Sequence, residues 1–307
     1  MDISALCFGY SKALYSTWIY YKPDHLLVDC GEGAATTLGN GGFAIEKVLL
    51  THGHIDHISG LPSLLWSRAA GMGDTQKPLT IYYPQGDIFV DDMRQYLRRT
   101  QERLPFDLQW IALEAGQSIA LNAKRRIETF STRHVLNRLT LGYKIVETRR
   151  RLKAEYGGLE QEEIRQRAIA GEGAALMENY EATLAAWGGD GAALDISSIE
   201  NCELLFHEAT ILDAAERKHQ LHATLDEAVA TAQSARVKAL VLYHVSGRYR
   251  KSEIESAARD SIAVHQIDFP VWCLFRDRCW RIEASDEKSR RPTRVWKAEK
   301  TISGDKA

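Results

Sequence analysis

The 307-residue chain has no stretch of about twenty apolar residues, so nothing in it is expected to span a membrane. Its five cysteines, Cys7, Cys30, Cys202, Cys273 and Cys279, are odd in number and include no C-x-x-C pair. A disulfide framework is therefore not expected, and a reducing compartment is. The N-terminus, which carries Asp2, lacks the apolar run of a secretion signal, so the expected location is cytoplasmic. Charge of one sign is also missing: 39 basic residues face 41 acidic ones, for a net charge of -2. That excludes a surface coated in positive charge but leaves room for a local basic patch. No internal repeat at solenoid periods is visible.

Short apolar runs alternate with helical patterns. Strands are expected at Leu26–Asp29, Lys47–His52, Leu79–Tyr83, Ile127–Ser131, Leu141–Glu147, Thr183–Trp187, Leu204–His207, Ala239–His244 and Val271–Arg276. Their near-continuous apolar character suits strands covered on both faces. Helices are expected at Gly60–Ala70, Asp87–Arg99, Leu159–Ile169, Leu225–Ser234 and Lys251–Val264. The pattern implies an α/β fold with helices outside its sheets, and periodicity leaves one sheet or two stacked sheets open. Arg149–Asn179 is polar, charged and glycine-rich, and reads as a helical insertion, taken as 149–180. The expected division is thus one domain over 1–285 and a polar basic tail over 286–307.

The chemistry is concentrated in Thr51-His52-Gly53-His54-Ile55-Asp56-His57, which closes a buried strand. A metal that cleaves esters at neutral pH needs several fixed ligands and an open position for water, and a strand end fixes its side chains well. His52 and His54 can face one point, Asp56 and His57 a second. Two metals need more ligands than this turn supplies. His134, Asp190 and His244 each follow an expected strand and meet the same sheet edge. Taken singly, a histidine after a strand is more often a hydrogen-bonded structural residue.

These residues carry a resemblance. His52–His57 is similar to the H-x-H-x-D-H motif of the metallo-β-lactamase superfamily. Leu27–Gly33, Thr51–Pro62, His134 with Gly142–Val146, Gly189-Asp190, His207-Glu208-Ala209-Thr210, His222-Ala223-Thr224 and His244–Tyr249 resemble, in order, the motifs of the short-form tRNase Z (ribonuclease Z) family. The likeness covers about residues 3 to 260, and Leu152–Leu159 looks most like the plant-type short enzymes. The resemblance implies an αββα sandwich of two mixed sheets with the metals at one edge. It implies His52, His54 and His134 on a first metal, Asp56, His57 and His244 on a second, and Asp190 between them. Two zinc ions per chain are the implied cofactors, with manganese or iron fitting the same ligand types. The implied activity is endonucleolytic removal of the 3′ trailer from precursor tRNA, by a homodimer. The chain departs from the family at Gly191 (usually threonine), at Ala34 and Ala35 (usually Thr-Gln) and at Ala223 (usually serine), and it lacks a Gly-Pro-rich arm.

The expected roles follow. Asp56 orients or deprotonates the attacking water, and His222 protonates the leaving 3′ oxygen, with Glu208 holding its ring and raising its basicity. An ion pair of purely structural purpose is the competing reading of Glu208 and His222. Asp29 is expected to hydrogen-bond the histidine loop, while Glu32 reads equally as a turn residue. Arg248 and Ser246, just beyond His244, are candidate phosphate binders, and a surface salt bridge is the alternative for Arg248. Basic residues also gather at Arg94, Arg98, Arg99 and Arg103, and at Arg149, Arg150, Arg151 and Lys153. Either group is a solvated face or an RNA contact. A hydrolase of a small phosphodiester, lactone or sulfate ester would keep the same metals, because the fold alone does not choose a substrate.

Overall fold

Strands buried on both faces must be covered twice, and two sheets packed face to face with helices on their outer sides satisfy that need. The computed structural model, which describes residues 2–71, 77–101, 103–217 and 220–283, has this arrangement. The 286–307 tail lies outside the described residues. Strands β1 (Cys7–Lys12), β2 (Ser16–Tyr21), β3 (Leu26–Val28), β4 (Lys47–Leu49), β5 (Leu79–Pro84) and β6 (Leu108–Leu113) form one sheet in sequential order. The second sheet contains β7 (Ser118–Ala120), β8 (Arg125–Thr132), β9 (Thr140–Leu152), β10 (Met177–Trp187), β11 (Leu205–Glu208), β12 (Leu240–Tyr243), β13 (Val271–Phe275) and β14 (Arg278–Arg281), again in sequential order. Both sheets are mixed: β3 to β6 and β10 to β13 run parallel, and the remaining neighbours pair antiparallel.

Alternation along each strand divides the interior into three layers. Leu26 and Val28 face the second sheet, where they join Tyr143, Trp187, Phe206 and Val241. Leu27 faces outward, onto Leu61, Leu64 and Leu65 of the helix Leu61–Gly71. In β12, Val241 and Tyr243 enter the inter-sheet core, while Leu240 and Leu242 pack beneath the helices Leu225–Ser234 and Lys251–Val264. The period-2 geometry of a strand thus feeds two cores at once. The helix Leu225–Ser234 begins in a capping box of Thr224 and Glu227. The helix Ile88–Thr100 is capped by Asp87 and ends on Arg98 and Arg99, which complements its dipole. No described helix is long and apolar enough to cross a membrane.

Nine expected strands and all the expected helical segments are present, with shifts at their ends. Five strands escape the apolar pattern. β6 is an edge strand with half its residues exposed, β7 has three residues, and β1 alternates buried with half-buried positions. The 149–180 segment is helical in its middle, with a 3-10 turn at Ala154–Tyr156 and helical turns from Gln161 to Leu176. Its two ends extend β9 and β10, with Arg149 opposite Tyr180 and Arg151 opposite Glu178 in an antiparallel ladder.

One buried charge escapes any motif. Arg68 is fully buried and donates to the carbonyls of Gly42, Ile45 and Lys77 at 2.8, 2.8 and 3.0 Å. It ties the irregular segment after β3 to the entry of β5. Replacing it by methionine leaves those carbonyls without donors. Arg68→Met is expected to cost about 3 kcal/mol of stability, read as a lowered midpoint in urea unfolding with the metal content of the folded protein unchanged.

Candidate metal centre

The turns that follow the C-terminal ends of β3, β4, β8, β10 and β12 converge at one edge of the sandwich. They bring Asp29, His52 to His57, His134, Asp190 and His244 together. Nε2 of His57 and of His244 lie 3.2 and 3.0 Å from Oδ2 of Asp190, and Nε2 of His52 lies 3.9 Å away. Oδ2 of Asp56 lies 3.7 Å from His57 Nε2 and 3.6 Å from His244 Nε2. His134 Nε2 approaches His54 Nδ1 at 3.2 Å. Donor atoms of His52, His54 and His134 form one group within 4.8 Å, and those of Asp56, His57 and His244 form another. Asp190 lies within reach of the second and of His52. The seven residues expected as ligands thus lie together at one edge, with Asp190 beside His52, His57 and His244.

The outward nitrogens explain how the rings are held. His57 Nδ1 bonds Asp29 at 2.8 Å, His52 Nδ1 bonds Thr51 Oγ1 at 3.0 Å, and His244 Nδ1 bonds Thr210 Oγ1 at 2.9 Å. His134 Nδ1 donates to the Leu221 carbonyl at 3.0 Å. A partner on one ring nitrogen fixes the tautomer and turns the other nitrogen inward as a lone pair. The inward atoms are then stranded: Nε2 of His52, His57 and His244 and Oδ1 of Asp190 are buried without a hydrogen bond of acceptable geometry. Orphaned imidazole nitrogens and a carboxylate oxygen, all aimed at one space, fit divalent cations better than any other occupant.

Asp190 is buried, and burial raises its carboxyl, but the charges of His244 and His57 outweigh this and hold it well below the usual range. In return, and against its own burial, Asp190 lifts His244 to about 9. His57 is raised in the same way by Asp190 and Asp29. Burial lowers His52, His54 and His134, which keeps the first set neutral.

Backbone strain collects at the same place. Asp29, His244 and Leu14 adopt left-handed φ of 55°, 56° and 66°. Each such residue costs about 1–2 kcal/mol. The strain aims the Asp29 carboxylate at His57 and at Thr51 N (2.8 Å), and the Leu14 amide at Asp56 Oδ2 (3.0 Å). Gly189, with φ 64°, brings the backbone so close to Thr51 that a Cβ would lie 2.8 Å from Thr51 Cβ.

Glu208 is buried, and Oε1 accepts from His222 Nδ1 (2.8 Å), Gly191 N (3.0 Å) and Ala223 N (3.2 Å), while Oε2 accepts from Thr210 N (2.7 Å). Burial pushes Glu208 up, yet the bond and charge of His222 bring it below its ordinary value. The two departures from the family, Gly191 and Ala223, both reach Glu208 through backbone amides; at Gly191, with φ 155°, a Cβ would also lie 2.9 Å from the Arg133 carbonyl oxygen. Ala34 and Ala35 are buried beneath the first sheet, so their smallness serves packing. His222 is 27% exposed, and its ring lies 4.8 Å from that of His134. Burial lowers its basicity, but Glu208 and then Asp190 raise it further, to a net increase. Its donor atom also falls within reach of Asp190 and His244. Its Nδ1 bonds Glu208 as the Nδ1 of His57 bonds Asp29.

Other expected residues are placed elsewhere. Arg248, half exposed, pairs with Glu216 at 3.1 Å and lies over the Tyr249 ring. Ser246 is half-buried, and its amide bonds Thr210 O. Neither has a described contact with the metal centre. His207 is buried, bonds the Glu208 carbonyl and accepts from Leu194 N, a structural part. Thr210 and Leu14 were not foreseen. Thr210 stood in a motif without a role, and no sequence signal marks the Leu14 amide, because its contact is made by backbone.

A family model described as "Anti-Pycsar protein Apyc1" matches residues 9–156. A ribonuclease Z of Gemmatimonas aurantiaca is 31% identical over 259 residues, covering 76% of this chain and 81% of the relative. The metallo-β-lactamase fold protein YhfI from Bacillus subtilis superposes with a TM-score of 0.61 at 19% identity, covering 90% and 96% of the two chains. The short form of human tRNase Z superposes with a TM-score of 0.60 at 21% identity, covering 90% and 99%. Stacked mixed sheets with an edge cluster of histidines and aspartates define a metal-dependent hydrolase of the metallo-β-lactamase fold. Within that class, the chain belongs to the ribonuclease Z family.

Two outcomes are expected of the centre. The Asp190 carboxylate raises His57 and lifts His244 to about 9, so a cation that takes their inward nitrogens competes with protons, and zinc added to metal-stripped protein should release protons. Calorimetry in buffers of different ionisation enthalpy reads that release, and heats independent of the buffer would contradict the proton-holding role of Asp190. Asp29→Ala frees the His57 ring and should weaken metal binding about 10–100-fold, measured by competition with a chromophoric chelator.

Proposed function

We propose that the protein removes the 3′ trailer from precursor tRNA as a metal-dependent endoribonuclease. The observation that carries this reading is the buried Glu208 beneath a half-open His222, set beside the two ligand groups. His52, His54 and His134 would hold one cation, Asp56, His57 and His244 a second, and Asp190 both. Such cations supply Lewis-acid stabilisation of the charge that builds on the phosphoryl oxygens. Asp56 orients the attacking water and accepts its proton. The phosphorus–O3′ bond then breaks, and the 3′ oxygen takes a proton from His222 Nε2. Glu208 fixes the opposite ring nitrogen and favours the protonated ring at neutral pH.

Several finer points belong to this proposal. The resident metal is two zinc ions per chain, and imidazole with carboxylate also accepts manganese or iron. The enzyme is cytoplasmic, which suits five cysteines that are all free and buried. It is a homodimer of the plant-type short form. Residues 1–285 make one hydrolase domain, with 149–180 its insertion and 286–307 a basic tail.

A second reading, hydrolysis of a small phosphodiester, draws on the state of the arginines. Arg149 is paired with Glu147 and with Glu203, Arg151 with Glu178, and Arg248 with Glu216. Cations already paired have less to offer a phosphate backbone than the sequence suggested.

Zinc-loaded protein offered precursor tRNA and bis-p-nitrophenyl phosphate at several salt concentrations separates the two readings. Precise cutting at the trailer junction is expected, and turnover of the small diester alone would overturn the tRNA reading. On precursor tRNA, His222→Ala should lower kcat by about 10²–10⁴-fold with metal content intact, and full turnover would remove its role as acid.

A further inference from the structure

An apolar cleft of about 510 Å³ opens directly beside the metal centre. Its walls are Ile55, Ile58, Phe89, Met93 and Tyr96, and its inner end is Gly53 with the candidate ligand His54. Ile55, Phe89 and Tyr96 are 66%, 42% and 53% exposed. Large apolar side chains gathered at the mouth of a polar centre call for a partner with a flat, weakly polar surface.

The cleft is rigidly joined to the centre. Asp87 accepts from the amides of Phe89 (3.0 Å) and Val90 (3.2 Å), which caps the helix that carries Phe89, Met93 and Tyr96. The same carboxylate packs against Gly53, where a Cβ would collide with it. The helix start and the metal loop are thereby locked to each other. Arg138 lies over the Phe89 ring at 4.7 Å, a cation stacked on the aromatic wall. Asp92 adds one carboxylate to the lining.

The placement of the cleft gives its occupant an orientation. Rings run in a row from Phe89 to His54, His134 and His222, with successive centroids 6.4, 4.9 and 4.8 Å apart. The cleft stands at the Phe89 end and the proton donor at the other. In an in-line displacement the leaving 3′ oxygen sits at His222. The ester group that stays on phosphorus, through a 5′ oxygen, needs room elsewhere.

We infer that the Phe89 cleft is a nucleobase subsite, which stacks the base of the nucleotide that keeps the phosphate on its 5′ oxygen. In a precursor tRNA this is the first nucleotide of the trailer. The inference rests on His222 as proton donor to the leaving oxygen. Water adds to phosphorus, the bond to O3′ breaks, the proton of His222 goes to that oxygen, and the product with its base in the cleft leaves as a 5′-phosphate. Stacking on an aromatic wall tolerates any base, so the subsite favours a nucleotide without selecting a sequence.

Three chromogenic diesters test this on the zinc-loaded full chain: thymidine 5′-(p-nitrophenyl phosphate), thymidine 3′-(p-nitrophenyl phosphate) and methyl p-nitrophenyl phosphate. The wild-type protein should show the highest kcat/KM on the 5′-ester, through a lower KM. Phe89→Ala should lower the ratio of 5′-ester to methyl ester by about tenfold, and Phe89→Trp should retain it. A wild-type preference for the 3′-ester, equal rates on all three, no turnover of any, or an unchanged ratio in Phe89→Ala would overturn the inference. Intact selectivity for the 5′-ester with precursor tRNA left uncut would uphold the cleft and discard the tRNA reading, so the two fail separately.

Discussion

The buried carboxylate of Asp190 is the constraint on which the rest of the site depends. Enclosing a carboxylate costs several kcal/mol unless positive charge accompanies it. Three imidazole nitrogens stand within 3.9 Å of its Oδ2. With those rings charged the group is compensated by protons. With the rings neutral it needs cations, and the inward lone pairs supply their coordination. The carboxylate thus makes the centre a competition between protons and metal, on the same atoms.

Everything around Asp190 serves to keep that competition in place. Strained turns at Asp29 and His244 point their groups inward, at an energy cost the two sheets can absorb. Thr210 reaches both His244 and, at 3.3 Å, His222. Glu208 gathers His222, Thr210 and the amides beside Asp190 and His222 onto one carboxylate. One buried acid therefore organises the candidate ligand set, and a second organises His222. In both places the carboxylate is held below its ordinary range by the imidazoles facing it, and those imidazoles are raised in return.

Recognition of substrate is built differently from the centre. Two of the arginines that the sequence offered to RNA are engaged with glutamates: Arg149 with Glu147 and Glu203, and Arg151 with Glu178 across the β9–β10 ladder. The surface next to the metals is instead apolar and aromatic, with Arg138 at its margin. Stacking in place of charge suits a chain whose net charge is only -2.

The candidate cluster was legible in the sequence because its residues are chemically rare so close together, and because each lone member, His134, Asp190 and His244, follows a strand whose apolar pattern is plain. Helices with a clear period, Leu225–Ser234 and Lys251–Val264, were legible to the residue. Edge strands such as β6 were not, since half-exposed strands lose the apolar run that marks buried ones. By itself the sequence determined the reaction class and the layered α/β character, which depend on residue type and local period. Only the tertiary structure decided that Glu208 holds backbone amides as well as His222, that Leu14 supports Asp56, that Arg248 faces Glu216, and that Phe89 lies beside His54. Those are contacts between segments far apart in the chain, and several are made by backbone atoms that every residue carries.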